Sequence, residues 1–122
     1  MNNYSAINTE LEEEIYPKSI PSTARAISQA PVLILVYKEK DNNWLDSDFL
    51  SIGACVENMC LMATNLGLGS LWIKDICYVE KDISKLLNID KELSCAVILG
   101  RPNQEPKMRP RKELKDIVKW YK

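Results

Sequence analysis

The sequence predicts an α/β or α+β layer fold in a single domain. Two continuous runs of aliphatic and β-branched residues, at 32–37 and 94–100, are typical of strands that are covered on both faces, and the run at 32–37 predicts an interior strand. Helical patterns lie before, between and after these runs, so the predicted order of elements is αβαβαβα without an internal repeat. Such alternation favours helices layered on a sheet. The length of 122 residues fits one domain, 1–122, in which residues 1–23 are expected to be loosely organised.

Composition and charge argue against several functional classes. Hydrophobic residues make up 46% and charged residues 27%, which is ordinary for a soluble globular chain and unlike a disordered one. The formal net charge is −1, so the overall charge favours neither nucleic acid nor an anionic membrane as a partner. The amino terminus lacks the basic and apolar parts of a secretory signal, and the longest apolar run, 31–37, is too short to span a bilayer. We therefore expect a cytoplasmic protein.

The cysteine and histidine content limits the chemistry that side chains can perform. The chain has no histidine, which excludes Ser–His–Asp and Cys–His catalysis within it. Its cysteines form no C-x-x-C pair and lie within apolar patterns, so we predict small buried side chains and neither a metal site nor a redox centre. These cysteines are Cys55, Cys60, Cys77 and Cys95. If the protein is an enzyme, something other than a side-chain triad does the chemistry.

Two short helices are predicted in the first thirty residues. An acidic helix is expected at 10–14. A second helix is expected to begin near Pro21 or Ser22, because a Ser–Thr pair suits a helix start. It should end at Ala30, since Pro31 disfavours a helical conformation for the residue before it. The first predicted strand then follows directly.

The longest predicted helix runs from residue 48 to residue 66. Asp46 or Asp48 is expected to cap its amino terminus. Apolar residues recur along it at spacings of three and four, and Glu57 is the only charged residue between positions 49 and 66. This wide stripe predicts a helix buried on much of its circumference, either in the domain centre or in a subunit interface.

The segment ATNLGLGSLWI, residues 63–73, ends this helix and starts a short strand, predicted at 70–73. Gly67 is expected to adopt the left-handed conformation that ends helices, and Gly69 to allow the next bend. The order helix, glycines, strand is the reverse of a dinucleotide-binding fingerprint. The functional interest lies in the backbone that follows, because Lys74 and Asp75 are the first polar residues after an apolar strand, where α/β proteins tend to place ligands.

The carboxyl-terminal third is predicted as a helix at 79–87, a strand at 94–100, an extended segment at 101–112 and a helix at 113–121. In the extended sequence PKMRPRK, alternate residues share one face, so Lys107, Arg109 and Arg111 project together.

This basic face admits three interpretations. Three converging cations make a phosphate clamp, and a solvated tail is the alternative. A nucleic-acid contact is disfavoured by the slightly acidic chain and by the absence of interleaved aromatic residues.

Several segments, taken in order, resemble the nitroreductase family of FMN-dependent oxidoreductases. IGACVENMCLMATNLGLGSLWIKD is similar to the central helix of that family and the strand after it. APVLILVY resembles the strand before this helix, while SCAVILGRP and KMRPRKELKDIV resemble the last strand and its basic, proline-bounded tail. The similarity covers residues 24–122 without interruption.

This resemblance implies an α+β fold, a three-layer α/β/α sandwich with a central mixed sheet, usually in an intertwined homodimer that binds FMN at two interface sites. The helix at 48–66 would then be buried by the dimer interface. Family members open with an R-x-S-x-R motif and an asparagine-containing loop that bind FMN, and this chain has neither. The resemblance therefore predicts an N-terminally truncated member: a natural short form, a fragment, or a chain that depends on its dimer partner.

The resemblance also implies a set of site residues. The backbone after the glycine turn would meet the isoalloxazine ring, with the Lys74 and Asp75 amides as donors to its N5 and O4 side. The late basic pair would hold the FMN phosphate. The implied cofactor-binding residues are Trp72, Ile73, Lys74, Asp75, Lys107 and Arg109. The flavin would pass hydride from NAD(P)H to a nitroaromatic or quinone, so no catalytic side chain is predicted.

A second hypothesis belongs to a different class. Without the missing N-terminal segment, the chain would be a non-catalytic nitroreductase-fold scaffold that acts as a dimeric structural or interaction module.

Overall fold

The computed structural model describes residues 18–122, and the acidic helix predicted at 10–14 lies outside this part of the chain. The elements are α1 (Ile20–Gln29), β1 (Val32–Lys38), α2 (Leu45–Asn65), β2 (Gly69–Ile73), a 3-10 helix (Asp75–Val79), α3 (Glu80–Leu87), β3 (Glu92–Gly100) and α4 (Leu114–Ile117). Helix α1 begins at Ile20, so residues 20–23 of the segment expected to be loosely organised are helical. Among the described residues, no helix has the length and apolar character needed to cross a membrane.

Strand β3 is the centre of a three-stranded sheet with the order β1-β3-β2. Both strand pairs are antiparallel, so the parallel pair of a mixed sheet is not among residues 18–122. The register places Gly69 opposite Gly100 and Ile73 opposite Ala96. As a result, β2 starts beside the end of β3, and β2 ends beside the first half of β3.

Strand β1 is an edge strand of the described sheet, although its continuous apolar run predicted an interior one. Val32 and Leu33 remain 46% and 42% exposed at its start. Helices on both faces of the sheet account for the apolar run in β1. A strand can be covered on both faces in this way without having a neighbouring strand on both of its edges.

Helices cover the two faces of the sheet, which gives the expected three layers. On one face, Val56 of α2 packs against Cys95 and Val97 of β3. On the other face, Leu93 and Ala96 pack with Ile73 and with partly buried residues of α1 and α3. Because side chains alternate between the faces of a strand, β3 contributes to both cores, and residues 93–98 are buried.

The two ends of α2 differ from the prediction to different degrees. Its N-cap is Trp44, so the prediction that Asp46 or Asp48 caps the helix is wrong. Both aspartates lie in the first turn, where a carboxylate interacts favourably with the helix dipole without capping it. At the other end, Gly67 has φ 70°, as expected. The Leu68 N–H donates to the Ala63 carbonyl over 2.8 Å, a bond typical of a glycine-terminated helix.

The apolar stripe of α2 is covered only in part. Val56 and Ala63 are its buried residues. Leu50, Leu61 and Leu66 are 76%, 59% and 65% exposed. Within the single chain, burial over most of the circumference is therefore not observed, and an apolar surface remains open.

Two further expectations fail for lack of packing partners. The carboxyl-terminal helix predicted at 113–121 shrinks to Leu114–Ile117, because a short helix without a packed face is marginal in water. Cys95 is buried as predicted, whereas Cys55 is exposed because it points away from the sheet beside the buried Val56. The other two cysteines are half-buried.

Candidate functional site

After the turn at Gly67, β2 begins beside the end of β3 and the residues that follow it. A Cβ at Gly69 would lie 3.4 Å from the Cα of Pro102, the second residue after β3. This distance is an ordinary van der Waals contact, so the start of the tail packs directly beside Gly69, a contact that the sequence alone did not reveal.

The side chains of Trp72 and Ile73 face opposite layers; Trp72 remains 45% exposed, whereas Ile73 is buried. The Trp72 ring lies over α2, where a Cβ at Gly53 would meet its Cη2 at 3.8 Å. Ile73 is 4% exposed in the core beneath α1 and α3. Packing on both sides fixes the end of β2, so the main chain is the part of Ile73 that can meet a ligand.

The Lys74 side chain turns back onto β3. Its Nζ donates to the Ser94 carbonyl over 2.9 Å and lies 3.4 Å from the Cys77 Sγ. It also lies 6.0 Å from the centre of the Phe49 ring, within the range of a cation–π contact. The ammonium is thus held by three different elements.

Asp75 is anchored to a different helix. Its Oδ2 accepts hydrogen bonds from the Ser19 Oγ over 2.6 Å and from the Thr23 Oγ1 over 3.4 Å. These two residues lie at the start of α1. The carboxylate therefore ties the first turn of α1 to the end of β2.

The amides of Lys74 and Asp75 are left without acceptors. Lys74 follows the last paired residue of β2, and Asp75 opens the 3-10 helix, whose first N–H groups have no partner within the helix. The first bond of that helix runs from the Cys77 N–H to the Lys74 carbonyl over 3.0 Å. Within residues 18–122, neither amide donates to a protein acceptor. The segment 72–75 therefore presents main-chain donors, while its side chains are engaged elsewhere.

The nearby thiols of Cys77 and Cys95 are not activated as nucleophiles. Burial raises the pKa of the Cys77 thiol, although the neighbouring Lys74 ammonium opposes this shift. Burial likewise raises the pKa of the Cys95 thiol, against a hydrogen bond with Trp72. Both groups stay protonated near neutral pH, and reactive cysteines are thiolates. The described residues also contain no group of three or more histidine, cysteine, aspartate or glutamate side chains that could hold a metal ion.

Lys107 and Arg109 lie on the exposed, extended tail after β3. Neither forms an ion pair with an acidic residue of the described chain, so both charges are available to an anion. The Arg109 carbonyl accepts a hydrogen bond from the Arg111 Nη1 over 3.4 Å.

Within the chain, the two halves of the predicted site are not brought together. The tail leaves the sheet at Gly100, four residues along β3 from Ala96, the partner of Ile73. That separation is roughly 13 Å along the strand. No hydrogen bond or ion pair in the described part of the chain joins the tail cations to residues 72–75.

A groove of about 510 Å³ lies at the end of the sheet where the tail begins. Its lining residues are Ala26, Gln29, Ala30, Pro31, Gly69, Ser70, Leu71, Ile98, Leu99, Gly100, Arg101, Pro102, Asn103 and Gln104. They come from three separate segments of the chain, so no local pattern predicted this groove. The Gly69–Gly100 pair was the one available signal, since paired glycines often mark a close approach of two backbones.

The comparisons with known proteins agree with the architecture. The model of the Nitroreductase family matches residues 6–101. The Bacillus subtilis (strain 168) protein named "Putative NAD(P)H nitroreductase YfhC" is 22% identical over 120 residues, which are 95% of this chain and 62% of that protein. The crystal structure of "a putative nitroreductase in complex with fmn" from Desulfovibrio desulfuricans is 27% identical, with a TM-score of 0.68. That match covers 77% of this chain and 56% of the other.

The matches cover only part of each relative. The chain spans less than two thirds of the length of both proteins. The family match ends at residue 101, so Lys107 and Arg109 lie beyond it, although the alignment with YfhC spans nearly the whole chain.

Proposed function

This chain belongs to the nitroreductase family, and we propose that it is an FMN-dependent oxidoreductase that takes hydride from NAD(P)H and reduces a nitroaromatic or quinone-type acceptor. The observation that carries this proposal is the segment 72–75, where two adjacent main-chain amides are unpaired while the side chains are held by the fold. A planar heteroaromatic ring is a ligand that such a backbone edge suits, because its N and O atoms accept hydrogen bonds in one plane.

The donors at the ring end fit the flavin. The Lys74 and Asp75 amides would donate to the N5 and O4 side of the ring, as the family resemblance implies. The buried side chain of Ile73 restrains the backbone of the segment 72–75 from the core side. Fixed donors of this kind stabilise negative charge that develops during a reaction without the cost of reorganising.

The cations at the other end fit the phosphate. Lys107 and Arg109 have no acidic partner in the described chain, and a guanidinium beside an ammonium suits a phosphate dianion. Because the chain does not join these cations to residues 72–75, the proposal includes a second copy of the chain that completes each site.

The open apolar surface of α2 supports such a homodimer. Leu50, Leu61 and Leu66 expose most of their surface on this helix. Large apolar side chains that stay exposed on a helix are a common feature of subunit interfaces. In the dimer, α2 would be buried as the sequence predicted.

The mechanism divides the work between the cofactor and the chain. When bound, FMN supplies the two-electron transfer between nicotinamide and acceptor. The Lys74 and Asp75 amides would position the ring, and Lys107 and Arg109 would hold the phosphate. The protons consumed in reducing the acceptor would come from water, which agrees with the absence of histidine.

Titration of FMN into the purified protein tests this function. The fluorescence of FMN should be quenched when it binds to the protein. Binding should also raise the melting temperature of the protein, since a ligand at 100 times its Kd stabilises the folded state by about 2.7 kcal/mol. The loaded protein should then oxidise NAD(P)H in the presence of a nitroaromatic compound. If saturating FMN changes neither the fluorescence nor the melting temperature, the enzyme proposal fails.

A non-catalytic dimeric scaffold is the second candidate. It is favoured by the separation of the two predicted half-sites within the described chain. A dimer by size-exclusion chromatography that binds no FMN would support the scaffold. A monomer at all concentrations would contradict both proposals.

A further inference from the structure

We propose that the Lys74 side chain is a positioning residue, whose ammonium, anchored on the bulged residue Ser94, holds the unpaired amides of Lys74 and Asp75 in place. The inference rests on the proposed FMN binding at these amides. It assigns the side chain of Lys74 a role separate from the ligand contact of its main chain.

Lys74 needs such an anchor because it lies just beyond the sheet. The β2–β3 pairing stops at Ile73, so no ladder hydrogen bond restrains the next peptide. The Nζ–O distance of 2.9 Å to the Ser94 carbonyl links this peptide back to β3 through the side chain. A hydrogen bond from a charged donor is among the stronger ones in proteins.

A β-bulge makes the Ser94 carbonyl available to Lys74. On the β1 side, Val36 pairs with Cys95 and Tyr37 pairs with Leu93, so Ser94 has no partner in the register. Bulges leave one residue unpaired and change its direction, and they are frequent beside functional sites. Ser94 is 4% exposed, and its carbonyl also accepts the Cys77 thiol over 3.4 Å. The bulge is thus a buried junction between β2, β3 and the 3-10 helix.

Asp75 is held from another direction. Its carboxylate accepts the Ser19 hydroxyl over 2.6 Å at the start of α1, whereas Lys74 is tied to β3. Two consecutive residues anchored on different elements leave little freedom for the peptide between them. Donors that are fixed in this way before the ligand arrives bind it without an ordering cost.

A different role for Lys74 would be direct attraction between its charge and the flavin. The two roles differ in the protein without flavin. Loss of an anchor loosens the amides before any ligand is present, whereas loss of a charge leaves them unchanged.

Amide hydrogen exchange in the flavin-free protein separates these roles. In Lys74→Met, the amide of Cys77, which donates to the Lys74 carbonyl over 3.0 Å, should exchange about tenfold faster, because the charged hydrogen bond that restrains the Lys74 peptide is lost. Lys74→Arg, which keeps a cation on a long side chain, should restore slow exchange. Lys81→Met is the matched control, because Lys81 is exposed on α3 and has no hydrogen bond or ion pair in residues 18–122. Lys74→Gln repeats the test if Lys74→Met does not fold.

Flavin affinity then tests whether the loosened amides matter to the ring. Fluorescence titrations with FMN and with riboflavin, which lacks the phosphate, should show the same loss in Lys74→Met, about three- to tenfold for both. Lys107→Met should weaken FMN alone.

The proposal is overturned if exchange at the Cys77 amide is unchanged in Lys74→Met, or if that variant loses affinity for FMN but not for riboflavin. It is also overturned if exchange rises and neither affinity changes. If the wild-type protein binds neither flavin, the proposed function fails, and the exchange experiment still decides whether Lys74 holds this turn.

Discussion

Leu61 offers a quantitative test of the proposed homodimer because it lies on the open side of α2 and is 59% exposed. Complete burial of a leucine side chain stabilises a protein by about 1.5–3 kcal/mol. Covering the exposed 59% would therefore contribute about 1–2 kcal/mol. A twofold dimer contains this residue twice, so Leu61→Ala should weaken association by about 2–4 kcal/mol, or about 30- to 700-fold in the dimer Kd.

Sedimentation velocity over a range of protein concentrations measures this Kd directly. Leu86→Ala is the matched control, because Leu86 is a leucine on α3 that is 83% exposed and lies away from the α2 surface. The reasoning is refuted if Leu61→Ala changes the Kd no more than Leu86→Ala does. It is also refuted if the wild-type chain is monomeric throughout.

Two further predictions concern the turn and the thiols. Gly67→Ala should lower the free energy of unfolding by about 1 kcal/mol in urea titrations. The φ angle of Gly67 is 70° and a Cβ there meets no atom within 4 Å, so the substitution adds backbone strain alone. Gly67→Asn should lower the free energy of unfolding by less, and equal losses for the two variants would contradict this account. Site-resolved alkylation should label the exposed Cys55 before Cys77, whose pKa burial raises. The rate of labelling of Cys77 should reach half its maximum at a pH above the ordinary thiol pKa. A thiol whose pKa is raised in the folded state stabilises it below the ordinary thiol pKa, and this contribution is lost as the pH rises through the raised value. Lys74→Met should move the labelling of Cys77 to still higher pH, since the ammonium lowers this pKa, and a shift to lower pH would contradict the contact.

Elements with strong local patterns were predicted well from the sequence. The strands predicted at 32–37, 70–73 and 94–100 are confirmed to within two residues at each end. The stop at Gly67 is confirmed as well, because a left-handed glycine is a local requirement of the backbone.

Features that depend on distant partners were predicted poorly. The short α4 and the edge position of β1 follow from what packs against these segments, which local patterns do not show. The open surface of α2 has the same cause: its stripe indicates a helix that buries apolar area, but not whether the covering surface belongs to the same chain.

The candidate site likewise has one part that local sequence patterns predict and one part that depends on distant partners. The sequence by itself was enough to point to Lys74 and Asp75, because a polar pair directly after a buried strand is a local signal. Only the tertiary structure showed that Ser94 and Ser19 hold these two side chains, since the partners are 20 and 56 residues away along the chain. Hydrogen bonds over such separations depend on how the strands and helices pack, and packing is a property of the whole fold.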